Sequence, residues 1–238
     1  MPDFEDDQQW DIVVPVFNEE ARVPELVTRL RKACPGARLI FVDNASTDST
    51  REALQAAGVA VAVRHETNLG YGSSLLDGMK VGRGAIMVVI DADLEYFPED
   101  IPAVVGGLAG AEACFGSRFA AGEAGMSRFR SGGNALVTRF FNLLYGQQLT
   151  DLYTGLRAFR REALPLEWLR QPGFEFVLEA SARLLDMGGR IVEVPIRYDE
   201  RSTGSSKMRH LPEFLKFLAL AVRLRFGAAR PGSTRPGS

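Results

Sequence analysis

The sequence predicts a doubly wound, mostly parallel α/β sheet, and three observations carry that expectation. Short apolar runs alternate with helix-period segments along the first half of the chain. Runs such as residues 86–90 are apolar throughout, as in strands covered on both faces. Acidic or polar clusters recur directly after three of these runs, at the strand ends where open parallel sheets collect ligands.

Residues 11–17 read as the first strand and 19–34 as a helix, with Val23, Leu26, Val27 and Leu30 at helical spacing. Residues 38–42 form the second strand. Ser46 or Ser49 caps the next helix, and Glu52 follows Ser49 at capping-box distance. A third strand at 59–63, a helix over Tyr71–Val81 and a fourth strand at 85–90 follow. A helix at 99–108 leads to a strand at 113–115. Residues 119–133, glycine-rich with several arginines, read as a mobile loop. Helices at 134–145 and 175–187, a strand at 190–196, a polar loop at 198–208 and a helix at 211–226 complete the pattern. The organisation is a flexible acidic N-terminus (1–10), one α/β domain (11–208), an amphipathic helix (209–226) and a disordered tail (227–238) that repeats Arg-Pro-Gly-Ser.

With 238 residues, 46% of them hydrophobic and 24% charged, the chain can bury a sizeable core. Cys34 and Cys114 stand far apart without a CxxC, which excludes a disulfide scaffold and a thiolate zinc site and suits the reducing cytoplasm. Residues 1–10 lack the basic and apolar runs of a signal peptide. The net charge of -2 hides a basic tail: residues 205–238 hold seven Lys or Arg against one acid, Glu213. That asymmetry points to an anionic partner near the C-terminus. Nucleic acid is not expected, since no basic stripe with interleaved aromatics crosses the body.

Asp91-Ala92-Asp93 follows the fourth strand directly. Carboxylates at i and i+2 in such a turn suit one Mg²⁺ or Mn²⁺ bridging to a diphosphate. The alternative is that they cap the helix begun at Pro98. Asp43, followed by Asn-Ala-Ser-Thr-Asp48, ends the second strand, and Pro15-Val-Phe-Asn-Glu19 ends the first. Any one cluster is ordinary turn chemistry; three at the same edge indicate a site. Gly70-Tyr-Gly72 lacks a third glycine and follows the third strand, so it is not a dinucleotide fingerprint. His65 and His210 have no partner at metal-ligand or triad spacing and read as structural or surface residues.

Val14-Pro-Val-Phe-Asn-Glu-Glu20, Val42-Asp-Asn-Ala-Ser-Thr-Asp-Ser-Thr50, Asn68-Leu-Gly-Tyr-Gly72, Asp91-Ala-Asp-Leu-Glu95, Gly116-Ser-Arg118, Asp151-Leu-Tyr-Thr-Gly-Leu-Arg157 and Arg201-Ser-Thr-Gly-Ser-Ser-Lys207 follow one another in order. Together they resemble family 2 glycosyltransferases with the GT-A fold, in the dolichol-phosphate mannose synthase branch. The resemblance covers roughly residues 11–208. It implies an inverting enzyme that moves a hexose from a GDP- or UDP-sugar to a polyprenyl phosphate. It also implies residue roles. Pro15, Phe17, Glu19 and Asp43 hold the base and ribose; Asp91, Ala92 and Asp93 face the metal and diphosphate, with Glu95 as a further ligand. Arg118, Arg128 or Arg130, Arg201 and Lys207 meet phosphate charge, for which guanidinium and ammonium groups are suited. Asp93 serves catalysis through the metal, and Asp151 either positions or deprotonates the acceptor or caps the turn before Thr154-Gly155. Phe17 stands where relatives often have tyrosine, Asn44-Ala45 where they have Asp-Gly, and Ser206 where they have glutamate.

Residues 201–207 are expected to close over phosphate as a lid. Two other functions are compatible with the residues: transfer to a soluble hydroxyl acceptor, and non-catalytic nucleotide-sugar binding. For the helix at 211–226, 16 residues fall short of the roughly 20 that cross a bilayer. Its basic flanks suit the interface of an anionic membrane. Packing against the protein's own sheet, or against a second subunit in a homo-oligomer, is the alternative.

Overall fold

The computed structural model describes residues 10–119, 128–199 and 210–227, with backbone alone for 128–132 and 210–215. In chain order the elements are β1 (Trp10–Val16), α1 (Val23–Ala33), β2 (Arg38–Asp43), α2 (Thr50–Ala56), β3 (Val61–Arg64), α3 (Tyr71–Val81), β4 (Ile86–Val89), α4 (Ile101–Gly106), β5 (Ala113–Ser117), α5 (Arg128–Tyr145), β6 (Arg157–Arg160), α6 (Glu175–Asp186), β7 (Ile191–Pro195) and α7 (His210–Phe226). The strands form one sheet in the order β3-β2-β1-β4-β6-β5-β7. All neighbours are parallel except β6, which runs antiparallel to both β4 and β5. This is the expected mostly parallel α/β architecture.

Both sheet faces are covered. One apolar cluster joins Ile12, Val14 and Val88 to Leu26 and Leu30 of α1 and Val104 of α4. The other joins Val13, Val42 and Met87 to Leu75 of α3, Phe141 of α5, Phe176 of α6 and Phe217 of α7. Removing one such buried side chain typically costs 2–5 kcal/mol. Gly78 lets α3 lie directly on the sheet, because a Cβ there would meet Val13 and Val42. At the amino edge the fully buried Asp11 accepts from Arg161 (2.8 Å) and from the Gly84 N–H (2.5 Å), tying β1 to the end of β6. The opposite, carboxyl edge carries the site.

Several expectations need correction. The first helix starts at Val23 rather than residue 19, because Pro24 has no N–H to give and is accommodated in a first turn. The strand β6 was not expected, and residues 128–133 belong to α5 instead of a loop. Gly132 and Gly133 oppose helix by about 1 kcal/mol each, but burial of Val137 and Phe141 further along outweighs that. The segment expected as one helix at 99–108 is broken into a 3-10 turn at Pro98–Asp100, α4, and a second 3-10 turn at Gly107–Gly110. For α7, Phe217 and Ala221 are buried and contact α5 and α6, so its inner face packs on the protein itself. No described helix is long and apolar enough to cross a membrane.

Candidate active site at the carboxyl edge of the sheet

The loops after β1 and β2 are laced together. Asn18 donates its N–H to Ser46 Oγ (3.1 Å) and accepts from the Thr47 N–H (2.8 Å); Glu19 N–H donates to Thr50 Oγ1 (2.8 Å). The Ser49 N–H donates to Glu20 (2.7 Å). Neither Ser46 nor Ser49 caps α2 through its side chain; Asp48 instead accepts from the Thr50 N–H and hydroxyl. Pro15 and Phe17 are half-buried, and Glu19 pairs with Arg22 at 3.0 Å. Asp43 is buried at the end of β2. Its Oδ1 accepts from the Ser46 N–H (2.9 Å), whereas Oδ2 has no hydrogen bond among the described residues and lies 3.8 Å from Arg64. Of the two readings the sequence left open for His65, structural or surface, the structure shows the first: the ring is buried and bridges Asn44 (2.8 Å) and Asp77 (3.1 Å). The side chain of His210 is outside the described residues.

The turn after β4 holds the acidic motif. Asp91 Oδ1 accepts from the Tyr71 hydroxyl at 2.8 Å, and Tyr71 stacks on Phe174 with centroids 4.9 Å apart. Oδ2 lies where a Cβ on residue 155 would stand, so Gly155 makes room for it. Burial pushes the Asp91 carboxyl up, opposed by the Tyr71 bond and the charges of Arg157 and Arg118. Ala92 is buried. Asp93 Oδ1 accepts from the Glu95 N–H (3.1 Å), and Glu95 accepts from the Tyr198 hydroxyl (2.6 Å). Among the described residues, no three His, Cys, Asp or Glu side chains gather as a ready metal cage. Asp91, Asp93 and Glu95 share one turn without converging.

Beyond β6 the edge continues with a buried ion pair. Arg118, at the end of β5, meets fully buried Asp151 through Nε (2.7 Å), Nη2 (2.8 Å) and its backbone N–H (3.1 Å). Asn134 of α5 adds a fourth donor to Asp151 at 2.7 Å. The guanidinium lies within 6 Å of the rings of Tyr96, Phe119 and Tyr198. The Glu193 carboxylate on β7 holds the Asp151 and Thr150 N–H groups (2.8 and 2.7 Å). Behind Asp91 sits buried Arg157, which donates to the Thr154 carbonyl and lies over Phe115.

The structure therefore brings Pro15, Phe17, Glu19, Asp43, Asp91, Ala92, Asp93, Glu95, Arg118 and Asp151 to one edge. Arg201 and Lys207, with the lid expected there, lie outside the described residues, as do the side chains of Arg128 and Arg130. Tyr71, Arg157 and Tyr198 were not expected in the site. Tyr71 and Arg157 stood inside quoted motifs, but nothing in their spacing says that they reach Asp91. Asn134 and Glu193 gave no signal, since only folding brings α5 and β7 to Asp151.

An α/β sheet with acidic turns along one carboxyl edge and a buried cation beside them defines an α/β protein with a ligand site outside its strand ends. Glycosyl transferase family 2 matches residues 11–165, and the chain belongs to that family. Over 84% of its length it is 32% identical to the polyprenol monophosphomannose synthase of Mycolicibacterium smegmatis, covering 81% of that protein. It is likewise 32% identical, over 82% of its length, to the undecaprenyl-phosphate mannosyltransferase of Micrococcus luteus, covering 86% of it. Among solved structures, glucosyl-3-phosphoglycerate synthase of Mycobacterium tuberculosis with Mn²⁺, uridine diphosphate and glucosyl-3-phosphoglycerate superposes with a TM-score of 0.72 at 21% identity. That superposition covers 94% of this chain and 82% of the synthase, and it establishes the shared GT-A fold.

Proposed function

We propose that the protein transfers a hexose from a GDP- or UDP-sugar to a polyprenyl phosphate, with inversion by direct displacement. One observation carries this reading: acidic turns and a buried arginine share an edge in a chain that is 32% identical to enzymes named for polyprenyl-phosphate mannosyl transfer. Pro15, Phe17 and Glu19 border the base and ribose, and Asp43 presents its hydrogen-bond-free Oδ2 to the donor. A buried carboxylate oxygen without a donor is costly unless a ligand supplies one.

The oxygen-rich turn fits Mg²⁺ or Mn²⁺, which are commonly held by one or two carboxylates together with substrate phosphates. Asp91, Asp93 and Glu95 are the residues that would hold it. Such an ion, when bound, stabilises charge on the departing diphosphate. Buried Arg118 adds fixed positive charge at this edge, and Arg201 and Lys207 are further cations for the phosphates. Asp151, with both oxygens engaged by Arg118 and Asn134, orients that guanidinium rather than taking a proton. A phosphate monoester acceptor needs little general-base help, because its second ionisation falls near pH 6.

A polyprenyl-phosphate acceptor would be met at a membrane surface. The outer face of α7 exposes Lys216, Val222, Arg223 and Phe226, and neighbouring α5 exposes Leu136, Arg139 and Leu143. Apolar side chains among cations suit the interface of anionic lipids. Turnover of GDP- and UDP-sugars, with Mn²⁺ and with or without a polyprenyl phosphate, tests the function. Transfer that requires the lipid phosphate is expected; equal transfer to a soluble hydroxyl acceptor overturns the reading.

A further inference from the structure

The segment Asp91–Glu95 is a strained turn held at both ends. Leu94 has φ 63°, a left-handed conformation that costs an ordinary side chain roughly 1–2 kcal/mol and persists only where its surroundings impose it. The first constraint comes from α3: the Tyr71 hydroxyl donates to Asp91 at 2.8 Å, with its ring stacked on Phe174. The second comes from the chain leaving β7. There the Tyr198 hydroxyl donates to Glu95 at 2.6 Å, the Asp199 N–H donates to the Glu95 carbonyl (3.0 Å), and Tyr198 bridges Tyr96. Gly155 leaves the space that Asp91 Oδ2 needs, because a Cβ there would meet that oxygen and the Tyr96 ring.

From this arrangement we infer that Tyr71 and Tyr198 are positioning residues: their hydroxyls set the Asp91 and Glu95 carboxylates for a divalent cation and a nucleoside diphosphate. Neither hydroxyl needs to touch a substrate. Each hydrogen bond restricts rotation of its carboxylate, so the pair prepays the ordering of the turn. The inference rests on the proposed function, because it presumes that the turn meets metal and diphosphate.

The test compares wild type with Tyr71→Phe, Tyr198→Phe and the double variant. Binding of GDP and of UDP is measured by calorimetry with and without Mn²⁺, beside donor KM, kcat and the thermal midpoint. Each single variant is expected to lose about tenfold in Mn²⁺-dependent nucleotide affinity, with Mn²⁺-free binding unchanged. The double variant is expected to lose more than either. Phe174→Leu, which keeps the hydroxyl but removes the stacked ring, is expected to follow Tyr71→Phe in direction. A wild-type protein without Mn²⁺-linked nucleotide binding overturns the functional reading and this inference with it. Wild-type linkage that persists unchanged in all four variants overturns the inference alone. So does a loss that tracks only the thermal midpoint, with metal-free binding falling in parallel.

Discussion

Asn18, Ala45 and Leu94 have φ of 58°, 63° and 63°, and each sits in one of the three loops that leave β1, β2 and β4 at the site. Asparagine tolerates that conformation; alanine and leucine do not. Ala45→Gly, which removes the Cβ that disfavours this left-handed conformation, is expected to raise stability by up to about 1 kcal/mol, read from the urea midpoint at constant slope. A lower midpoint refutes the strain. Gly155 bears the opposite constraint, and Gly155→Ala is expected to displace Asp91 and reduce transfer about 100-fold in a folded protein. Asp91→Asn and Asp93→Asn are expected to cost transfer on the order of 3 kcal/mol or more while leaving the circular dichroism spectrum unchanged. Full activity of either, or of wild type in EDTA, refutes the metal assignment. The residue types of these turns were legible in the sequence. The contacts of Asp91 with Tyr71 and Gly155 were not, because they join parts of the chain 20 and 64 positions apart.

Helices and strands with a clear period were read well, and the failures have physical causes. Tyr71–Val81 was expected with its observed bounds, since its apolar face repeats cleanly. β6, by contrast, is four residues long with arginine at both ends, too short for alternation to show. It becomes a strand because β4 and β5 leave a gap between them. The ion pair beside it makes a second test. Asp151→Asn strands a buried guanidinium and is expected to cost about 3 kcal/mol or more of stability. Asp151→Glu is expected to recover less than half of that, measured by denaturant unfolding. The link between α1 and the turn before α4 gives a pH test. Arg29 hydrogen-bonds Glu99 at 2.7 Å and holds its carboxyl below the usual range. Stability from this pair is therefore present above the unfolded Glu value, about 4.3, and is lost as pH falls through the lower folded value. Both groups are partly exposed, so the contribution is below about 1 kcal/mol. Glu99→Gln should flatten the stability curve between about pH 5 and 3; an unchanged acid limb refutes the link.

At the scale of the whole molecule, α7 joins its inner face to the core and leaves its outer face beside α5. Deleting it would remove Phe217 and Ala221 from the core and uncover Tyr153, whose ring packs on Phe217 at 5.1 Å, so substitutions on the outer face are the cleaner probe. Phe226 is 72% exposed and Leu143 81%, and neither supports the core. Phe226→Asp with Leu143→Asp is expected to abolish sedimentation with anionic vesicles at low salt and to leave the thermal midpoint within about 2 °C. Wild-type protein that stays in the supernatant refutes membrane docking outright.

The sequence by itself determined the α/β class, the succession of acidic turns at strand ends and the family, because each depends on local pattern and ordered motifs. Only the tertiary structure decided that β6 enters the sheet antiparallel, that Asp151 is committed to Arg118, and that one side of α7 is core while the other faces out. The physical reason is common to all three. Pairing, desolvation and burial are properties of distant segments brought together, and no local spacing records which partner a buried charge or an apolar stripe will meet.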